Sequence, residues 1–342
     1  MIDILNLSIE QLQTQLLNNN ISKFKAKIIY DWIYKKRIYS FNDMSNLSKK
    51  DRMFLNSNYY IGMLQIRDSM ESKDGTIKFL LQLKDNQLIE TVVMEYTYGH
   101  SICISSQVGC KMGCEFCASS KLGFFRDLTA GEMIAQIITV NQFLDKNIDR
   151  VVIMGIGEPF DNFNNLVLFL QVANDHNGLN IGGRKLSVST CGIVPKIYEF
   201  ADLKLQVNLS ISLHEVSDLY RSKIMPINNK YSISEVLEAC KYYINKTNRR
   251  ISFEYALLGG ENDSNEHAVK LAKMLNGMLC YVNVIPINKI KDSNLNYSKK
   301  KNLEGFCGIL RKNGINVTVR RELGSDINAS CGQLRRSYID GV

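Results

Sequence analysis

The sequence lacks the features of a membrane or secreted protein. None of its apolar runs is long enough to span a bilayer, and the first residues, MIDILNLSIEQLQTQ, do not form a signal peptide. Low-complexity tracts and short-period repeats are also missing. We therefore expect a soluble, cytoplasmic protein with no membrane partner. With 342 residues and 45% hydrophobic content, the chain can bury a core large enough for one α/β domain and a smaller one.

A strong charge of either sign is also absent. The chain has 42 Lys and Arg against 34 Asp and Glu, a net charge of +8. This excess is compatible with a polyanionic partner, but solvated helix faces explain it about as well. The basic residues cluster near the two ends of the chain: Lys23, Lys25, Lys27, Lys35–Lys36–Arg37, Arg320–Arg321 and Arg335–Arg336. Together these clusters favour RNA as a partner only modestly.

Nine cysteines in a cytoplasmic protein indicate ligands or catalysts rather than disulfide bridges. Three of them, Cys110, Cys114 and Cys117, form a C-x3-C-x2-C motif in GCKMGCEFC. Three thiolates can hold three irons of a 4Fe–4S cube and leave the fourth iron open for a ligand. Zinc is the alternative, but no further Cys or His follows closely enough to complete a zinc site.

Residues 1–98 predict a small N-terminal α+β domain. Residues 1 to about 55 have helical periodicity, and residues 60–98 contain three β-like runs separated by KDG and KDN turns. From residue 99 onward, strands alternate with helices. The predicted strands are SICISSQ, RVVIMGI, KLSVST, QVNLSISL, ISFEYALL and YVNVIPI. The predicted helices lie near 130–144, 163–174, 193–201, 232–246, 264–278 and 299–313.

Strands that are nearly continuous runs of Val, Ile and Leu, each followed by a helix, indicate a parallel sheet buried on both faces. Six such units predict an open, partial (β/α)6 barrel over residues 99–315, followed by a C-terminal extension over 316–342. The active site of such a barrel forms at the carboxyl ends of its strands. The cysteine motif follows the first strand, and polar or glycine-rich residues follow others: Gly155–Pro159, Ser189–Thr190, Ser212–His214 and Asn288.

Several motifs carry a resemblance to a known family. CKMGCEFC resembles the cluster motif of radical S-adenosylmethionine (SAM) enzymes, and GIGEP resembles their SAM-amine-binding segment. Over nearly its whole length the chain is similar to the RlmN/Cfr group of RNA adenine methyltransferases. The narrower matches are CISSQVGC, MGIGEP, SLHEVSDLYRSKIMPIN, FEYALLGGENDS, VNVIPIN and VTVRRELGSDINASCGQL. The segment KFKAKIIYDWIYKKRIYSFNDMSNLS resembles the group's N-terminal RNA-contacting module, which predicts that role for residues 1–98.

The resemblance implies a role for each matching residue. The 4Fe–4S cluster falls to Cys110, Cys114 and Cys117. The implied SAM contacts are Gly157, Glu158, Ser189, Ser212, Leu213, His214 and Asn288. Cys331 corresponds to the cysteine that is methylated during turnover, Cys103 to the cysteine that resolves it, and Glu90 to a proton acceptor.

The resemblance also implies why two further cysteines are needed. The target carbon of adenine is electron-poor and cannot attack a SAM methyl group, whereas a thiolate can. Cys331 takes a methyl from one SAM, a radical made from a second SAM removes a hydrogen from that methyl, and the resulting carbon radical adds to adenine. Cys103 then removes the ring proton and attacks the sulfur of Cys331, which releases methylated RNA and leaves a disulfide. The electron comes from a donor such as flavodoxin or ferredoxin.

Three alternatives stay open for the function. GIGEP with its proline, FEY at 253–255 and VRRELG at 319–324 favour methylation at carbon 2 of an adenosine in 23S rRNA, and in the anticodon loop of some tRNAs. The first alternative is Cfr-type methylation at carbon 8, which gives antibiotic resistance. The second is a non-catalytic RNA-binding module, and the third is a radical SAM enzyme that acts on a protein or small molecule.

The remaining residues carry weaker predictions. Four cysteines are predicted to be small core residues: Cys191, Cys240, Cys280 and Cys307. Among them we expect Cys191 to be the most exposed, because it follows a strand end at the mouth of the barrel. The arginine pairs on either side of Cys331 are predicted to contact RNA phosphates.

Overall fold

The computed structural model describes residues 1–121, 123–286, 298–321 and 323–329. The α-helices in these ranges are α1 (Ile9–Asn18), α2 (Phe24–Tyr30), α3 (Lys49–Asn58), α4 (Ala130–Leu144), α5 (Phe163–Asn174), α6 (Val194–Asp202), α7 (Asp218–Ile224), α8 (Ile233–Thr247), α9 (Asn265–Leu275) and α10 (Lys300–Lys312). None of the described helices is long and apolar enough to cross a membrane.

The strands divide into one large sheet and two short pairs. They are β1 (Ile2–Asp3), β2 (Tyr59–Tyr60), β3 (Gln65–Glu71), β4 (Ile77–Gln82), β5 (Leu88–Tyr96), β6 (Gly99–Ile104), β7 (Gln107–Gly109), β8 (Phe124–Asp127), β9 (Arg150–Ile153), β10 (Leu186–Thr190), β11 (Asn208–Ser212), β12 (Ile251–Leu257), β13 (Cys280–Pro286) and β14 (Val317–Val319). The large sheet has the order β14-β13-β12-β11-β10-β9-β6-β5-β4-β3, and the pairs are β1 with β2 and β7 with β8.

The α/β partial barrel predicted from the sequence is confirmed. Strands β6, β9, β10, β11, β12 and β13 pair in parallel in chain order. The short strand β14, predicted as part of the C-terminal extension, pairs in parallel with β13 and adds a seventh parallel strand. The two ends of this sheet are β14 and β3, so the barrel of described strands is open.

Local signals explain where the barrel helices begin and end. Helix α4 begins with a capping box in which Thr129 and Glu132 each bond the backbone of the other. Helix α8 begins the same way with Ser232 and Glu235. Both helices end where a residue adopts the left-handed conformation, which stops the helical hydrogen-bond ladder. These signals lie in the sequence, and the predicted bounds of both helices agree with the structure within one residue.

The large sheet runs through the predicted domain boundary at residue 98. Strand β5 pairs antiparallel with β6, with Val92 opposite Cys103, so the N-terminal β-hairpin strands extend the barrel sheet. The buried side chain of Gln136, on α4, fastens this junction. Its oxygen accepts hydrogen bonds from the Thr91 hydroxyl and the Ser105 N–H, both at 2.8 Å, and its amide donates to the Ser105 carbonyl at 2.9 Å.

The N-terminal helices pack against the same helix of the barrel. The Asn6 side chain accepts a hydrogen bond from the Gly131 N–H at the start of α4, and the Thr139 hydroxyl accepts one from the Leu64 N–H at 3.2 Å. Helix α2 buries Ala26, Ile29 and Tyr30 in the main apolar core. Phe24, which shares the helical periodicity, is 64% exposed.

Replacement of Gln136 tests whether it joins the two parts of the sheet. We expect Gln136→Leu to lower the free energy of unfolding by about 2–4 kcal/mol, because it leaves buried backbone and hydroxyl groups of Ser105 and Thr91 without partners. Gln142→Leu, at an exposed position of the same helix, is the matched control and should change stability little. Denaturant titration measures both, and equal losses from the two variants would contradict the assignment.

Candidate active site

A cavity of about 1070 Å³, including its open mouth, lies at the carboxyl ends of the parallel strands. Its walls are formed by the cysteine loop after β6 and by the carboxyl ends of the next parallel strands, β9 to β13. The residues that line it include Cys110, Cys114, Cys117, Met154, Gly157, Glu158, Ser189, Cys191, Ser212, His214, Glu254, Ala256, Ile285 and Arg320. The prediction that these strand ends converge on one mouth is confirmed for the described residues.

The cysteine loop is held closed at its base by a small hairpin that the sequence analysis missed. Strands β7 and β8 pair antiparallel on either side of the loop, and the Cys110 N–H donates to the Gly123 carbonyl at 3.0 Å. Gly109 has a positive φ of 77°, and a Cβ there would lie 1.9 Å from that carbonyl oxygen. The Ser120 hydroxyl bonds the carbonyls of Cys114 and Cys117, both at 2.8 Å. The sulfur-bearing segment is therefore tightly folded.

The three thiols fit an iron–sulfur cluster better than a single zinc ion. Within the described ranges, no group of three or more His, Cys, Asp or Glu side chains could hold one metal ion. A cluster spreads its thiolate ligands over several irons, so its cysteines need not converge on one point. Burial raises the pKa of Cys110 to about 12 and also raises the pKa of Cys114. Because burial disfavours the charged form of these thiols, the thiolate form needs positive charge nearby, which the irons of a cluster supply.

Glu158 forms the wall opposite the cysteines. Its carboxylate accepts hydrogen bonds from the N–H groups of Phe160, at 3.0 Å, and Cys191, at 2.7 Å. Burial raises the pKa of Glu158. Gly157 before it has a φ of 107°, and a Cβ there would lie 2.6 Å from the Gln107 side chain. The side chains of Thr190 and Cys191 also bond this carboxylate, so its direction is set from several sides.

Of the other residues expected to contact SAM, the structure places some in the cavity wall and others outside it. Ser189, Ser212 and His214 line the cavity, whereas the Leu213 side chain is buried in the main core and only its backbone lies near the site. Asn288 lies outside the described residues. A contact of Leu213 with a ligand would therefore have to come from its main chain.

His214 is held in one orientation and one protonation state. Its Nδ1 accepts a hydrogen bond from the Ala256 N–H at 2.9 Å, and its ring packs edge-on against Phe116. Burial, with a smaller effect of the Arg221 charge, lowers the pKa of His214 to about 3. With Nδ1 occupied as an acceptor, the neutral ring carries its proton on Nε2. His214 therefore offers the cavity an N–H donor.

Two charged residues of the cavity had no predicted role there. Glu254 accepts bonds from the Ser252 hydroxyl at 2.6 Å and the Asn283 amide at 2.9 Å. Arg320 lies 3.8 Å from the Glu254 carboxylate. The structure adds this place in the cavity wall to the phosphate contact predicted for Arg320, which stays a prediction. Glu254 lies in the FEY motif, but the sequence does not show that its side chain lines the cavity.

Cys103 and Glu90 lie beside the cavity rather than in its wall. Cys103 belongs to a second apolar cluster with Val92, Met94, Ile156, Ile327 and Ala329. Glu90 is buried on β5, two residues before Val92, so it shares the face of the sheet on which Cys103 lies. Its carboxylate is 3.5 Å from the Lys78 ammonium. Cys331 lies outside the described residues.

The four cysteines predicted to lie in the core are buried, including Cys240, Cys280 and Cys307. The expectation that Cys191 is the most exposed is wrong, since it is only 5% exposed. Its backbone is held by Glu158, which draws the residue into the cavity wall. Burial raises the pKa of the Cys191 thiol well above its ordinary value.

The protonation state of His214 can be checked directly. We expect long-range proton–nitrogen spectra to show one imidazole with its proton on Nε2 and no titration between pH 5 and 8, because its pKa is lowered to about 3. The chain has four histidines, so loss of one set of signals in His214→Gln assigns it. Protonation of this ring near pH 6.5 would contradict the burial and the Nδ1 bond.

Comparisons with known proteins agree with this geometry. The model for the Radical SAM superfamily matches residues 104–272, and the model for the ribosomal RNA large subunit methyltransferase N-terminal domain matches residues 2–61. The chain is 52% identical to a probable dual-specificity RNA methyltransferase RlmN of Clostridium perfringens (strain SM101 / Type A), over 98% of this chain and 97% of the relative. A relative of the same description from Clostridium botulinum (strain Okra / Type B1) is 51% identical, over 98% and 99%.

A solved structure gives the same result for the fold. The crystal structure of a radical SAM methyltransferase from Sphaerobacter thermophilus matches with a TM-score of 0.93 and 37% identity. The match covers 98% of this chain and 99% of that one. The N-terminal helices, the extended sheet and the barrel are therefore a shared arrangement.

Proposed function

The chain belongs to the RlmN group of radical SAM RNA methyltransferases, and we propose that it methylates carbon 2 of an adenosine in 23S ribosomal RNA. We extend the proposal to an adenosine in the anticodon loop of some tRNAs, since the curated relatives are named dual-specificity enzymes. The observation that carries the proposal is similarity above 50% identity over nearly the whole chain. The substrate and the chain would meet in the cytoplasm.

The cofactors of this superfamily are a 4Fe–4S cluster and SAM. When bound, they supply a carbon radical by one-electron cleavage of SAM. In our proposal Cys110, Cys114 and Cys117 hold the cluster, and Glu158 accepts a hydrogen bond from the amine of SAM. His214 donates from Nε2, and the hydroxyls of Ser189 and Ser212, the backbone near Gly157 and Leu213, and Asn288 complete the contacts. The support is the shared cavity that the described members of this set, apart from Leu213, line.

We propose Cys331 as the methyl carrier and Cys103 as the cysteine that resolves it. The support lies in the segment just before Cys331. Ala329, two residues earlier in the chain, belongs to the same apolar cluster as Cys103. Cys331 follows this member of the cluster by only two residues in the sequence.

The segment before Cys331 is also anchored to the N-terminal hairpin. The Gly324 N–H donates to the Asp74 carboxylate at 2.9 Å, and Asp326 accepts from the Ser72 hydroxyl at 2.5 Å and the Lys73 N–H at 3.3 Å. These bonds join residues about 250 positions apart in the sequence. They support the proposal that the residues around Gly324 and Asp326 stay fixed while Cys331 takes part in two methyl-transfer steps.

Glu90 is proposed to receive a proton during release of the product. Its support is its place on the same face of the sheet as Cys103, buried beside Lys78.

Residues 1–98 are proposed to contact the RNA, residues 99–315 to form the catalytic barrel, and residues 316–342 to carry Cys331. The N-terminal match over residues 2–61 supports the first role. Lys23, just before α2, and Lys27, within it, are exposed near Phe24, and such a mixture of cations and an exposed ring suits RNA. Other lysines of this region are paired, such as Lys25 with Asp51 at 2.5 Å. An electron donor such as flavodoxin or ferredoxin completes the proposal.

Nucleoside analysis tests the site of methylation. We expect the reconstituted chain, given SAM, an anaerobic reductant and a fragment of 23S rRNA, to form 2-methyladenosine. Mass spectrometry of the digested RNA measures it, with Cys331→Ala as the inactive control. Formation of 8-methyladenosine would instead identify the Cfr type, and no methylated adenosine with a fully loaded cluster would favour a non-catalytic RNA-binding protein.

Loss of Cys103 tests the release step. We expect Cys103→Ala to accumulate a covalent protein–RNA adduct, because no thiolate remains to attack the sulfur of Cys331. Denaturing electrophoresis with labelled RNA measures the adduct. Cys307→Ala, at a buried cysteine on α10, is the matched control and should release its RNA. Normal turnover by Cys103→Ala would contradict the role of Cys103.

A further inference from the structure

Arg221 is a fully buried cation directly behind the cavity wall. It lies on α7, and its side chain is 0% exposed. Its Nε donates to the Leu213 carbonyl at 2.9 Å, and its Nη2 donates to the carbonyls of Cys191 at 2.8 Å and Ser212 at 2.9 Å. Cys191 and Ser212 themselves line the cavity. The guanidinium is therefore one residue layer away from whatever fills the site.

The partners of Arg221 are neutral. Its remaining nitrogen, Nη1, donates to the Asn228 side-chain oxygen at 2.9 Å. The Asp218 carboxylate compensates this charge from one residue further away, since the Asn228 amide, whose oxygen bonds Arg221, donates to Asp218 Oδ1 at 3.0 Å. A buried charge costs several kcal/mol unless opposite charges compensate it, and backbone carbonyls compensate only in part. An anionic neighbour in the cavity would compensate the Arg221 charge from its other side.

The cysteine loop rests on the same helix that carries Arg221. The Glu115 N–H, inside the loop, donates to the Ile224 carbonyl at the end of α7 at 3.0 Å. A Cβ at Gly113 would lie 3.5 Å from Pro226, just after this helix. Burial is the largest cause of the raised pKa of Cys114, and the positive charge of Arg221 lowers that pKa. The helix that carries Arg221 therefore supports the cysteine loop, and the charge of Arg221 acts on the Cys114 thiol.

We propose that Arg221 supplies a fixed positive charge that raises the reduction potential of the iron–sulfur cluster held by Cys110, Cys114 and Cys117. The inference rests on the proposed function. Thiolate ligands give such a cluster a net negative charge, and each added electron increases it, so a nearby cation favours the reduced form. At an effective dielectric constant of about 20, a unit charge roughly 10 Å away changes this equilibrium by about tenfold.

A redox titration of the reconstituted chain without SAM tests the inference. At the potential where the wild-type cluster is half reduced, we expect Arg221→Gln to lower the ratio of reduced to oxidised cluster about tenfold. This is a shift of 59 mV for a one-electron couple. Arg221→Lys keeps the charge and should stay within threefold of wild type. The matched control is Arg249→Gln, which removes a half-buried cation at the opposite end of the barrel and should change nothing.

The outcomes separate a charge effect from a bracing effect. Arg221→Gln that binds full iron and titrates like wild type would overturn the inference and leave Arg221 as a brace for three carbonyls. If Arg221→Gln does not fold, Arg221→Lys decides. A tenfold shift despite the retained charge overturns the inference. A wild-type ratio in Arg221→Lys supports it when Arg221→Met, which keeps the side-chain length and loses the charge, lowers the ratio about tenfold. A wild-type chain that binds no iron would overturn the proposed function, and this inference with it.

Discussion

Parallel hydrogen bonding between neighbouring strands is the constraint on which the rest of this structure depends. In the large sheet β6, β9, β10, β11, β12, β13 and β14 each run parallel to their neighbour, so the carboxyl ends of all seven lie at the same edge. Side chains from segments up to two hundred residues apart then meet in one cavity. The buried junction at Gln136 extends this sheet to the antiparallel hairpin strands, and so brings Cys103 and Glu90 beside the same edge.

The cavity combines groups that would be costly to bury one at a time. Its described lining contains four thiols, two carboxylates and an arginine, with a second arginine behind the wall. Both carboxylates are held by partners that fix their direction, as the N–H groups of Phe160 and Cys191 do for Glu158. Low local dielectric strengthens the interactions among these groups. The arrangement suits a site that must bind an anionic cluster and a zwitterionic cofactor together.

The C-terminal segment adds a part that the barrel alone would not have. Asp74 and Asp326 fasten it to the turn between β3 and β4. The N-terminal hairpin therefore has two functions, since it extends the sheet and holds the segment that leads to Cys331. This double use explains physically why the small β region and the barrel share one sheet instead of forming two separate cores.

By itself, the sequence determined the order of helices and strands, the partial barrel and the cysteine motif, because periodicity, capping residues and thiol spacing are local properties. Direction and distance between remote residues are not local, and only the tertiary structure decided them. Helical periodicity is visible over residues 1 to about 55, but the exposure of Phe24 is not. The arginines near the end of the chain are visible as a cluster, but the distance of Arg320 from Glu254 in the cavity is not. Arg221 lies inside a motif that the sequence shows, but nothing in a sequence states that its charge is fully buried behind the cavity wall.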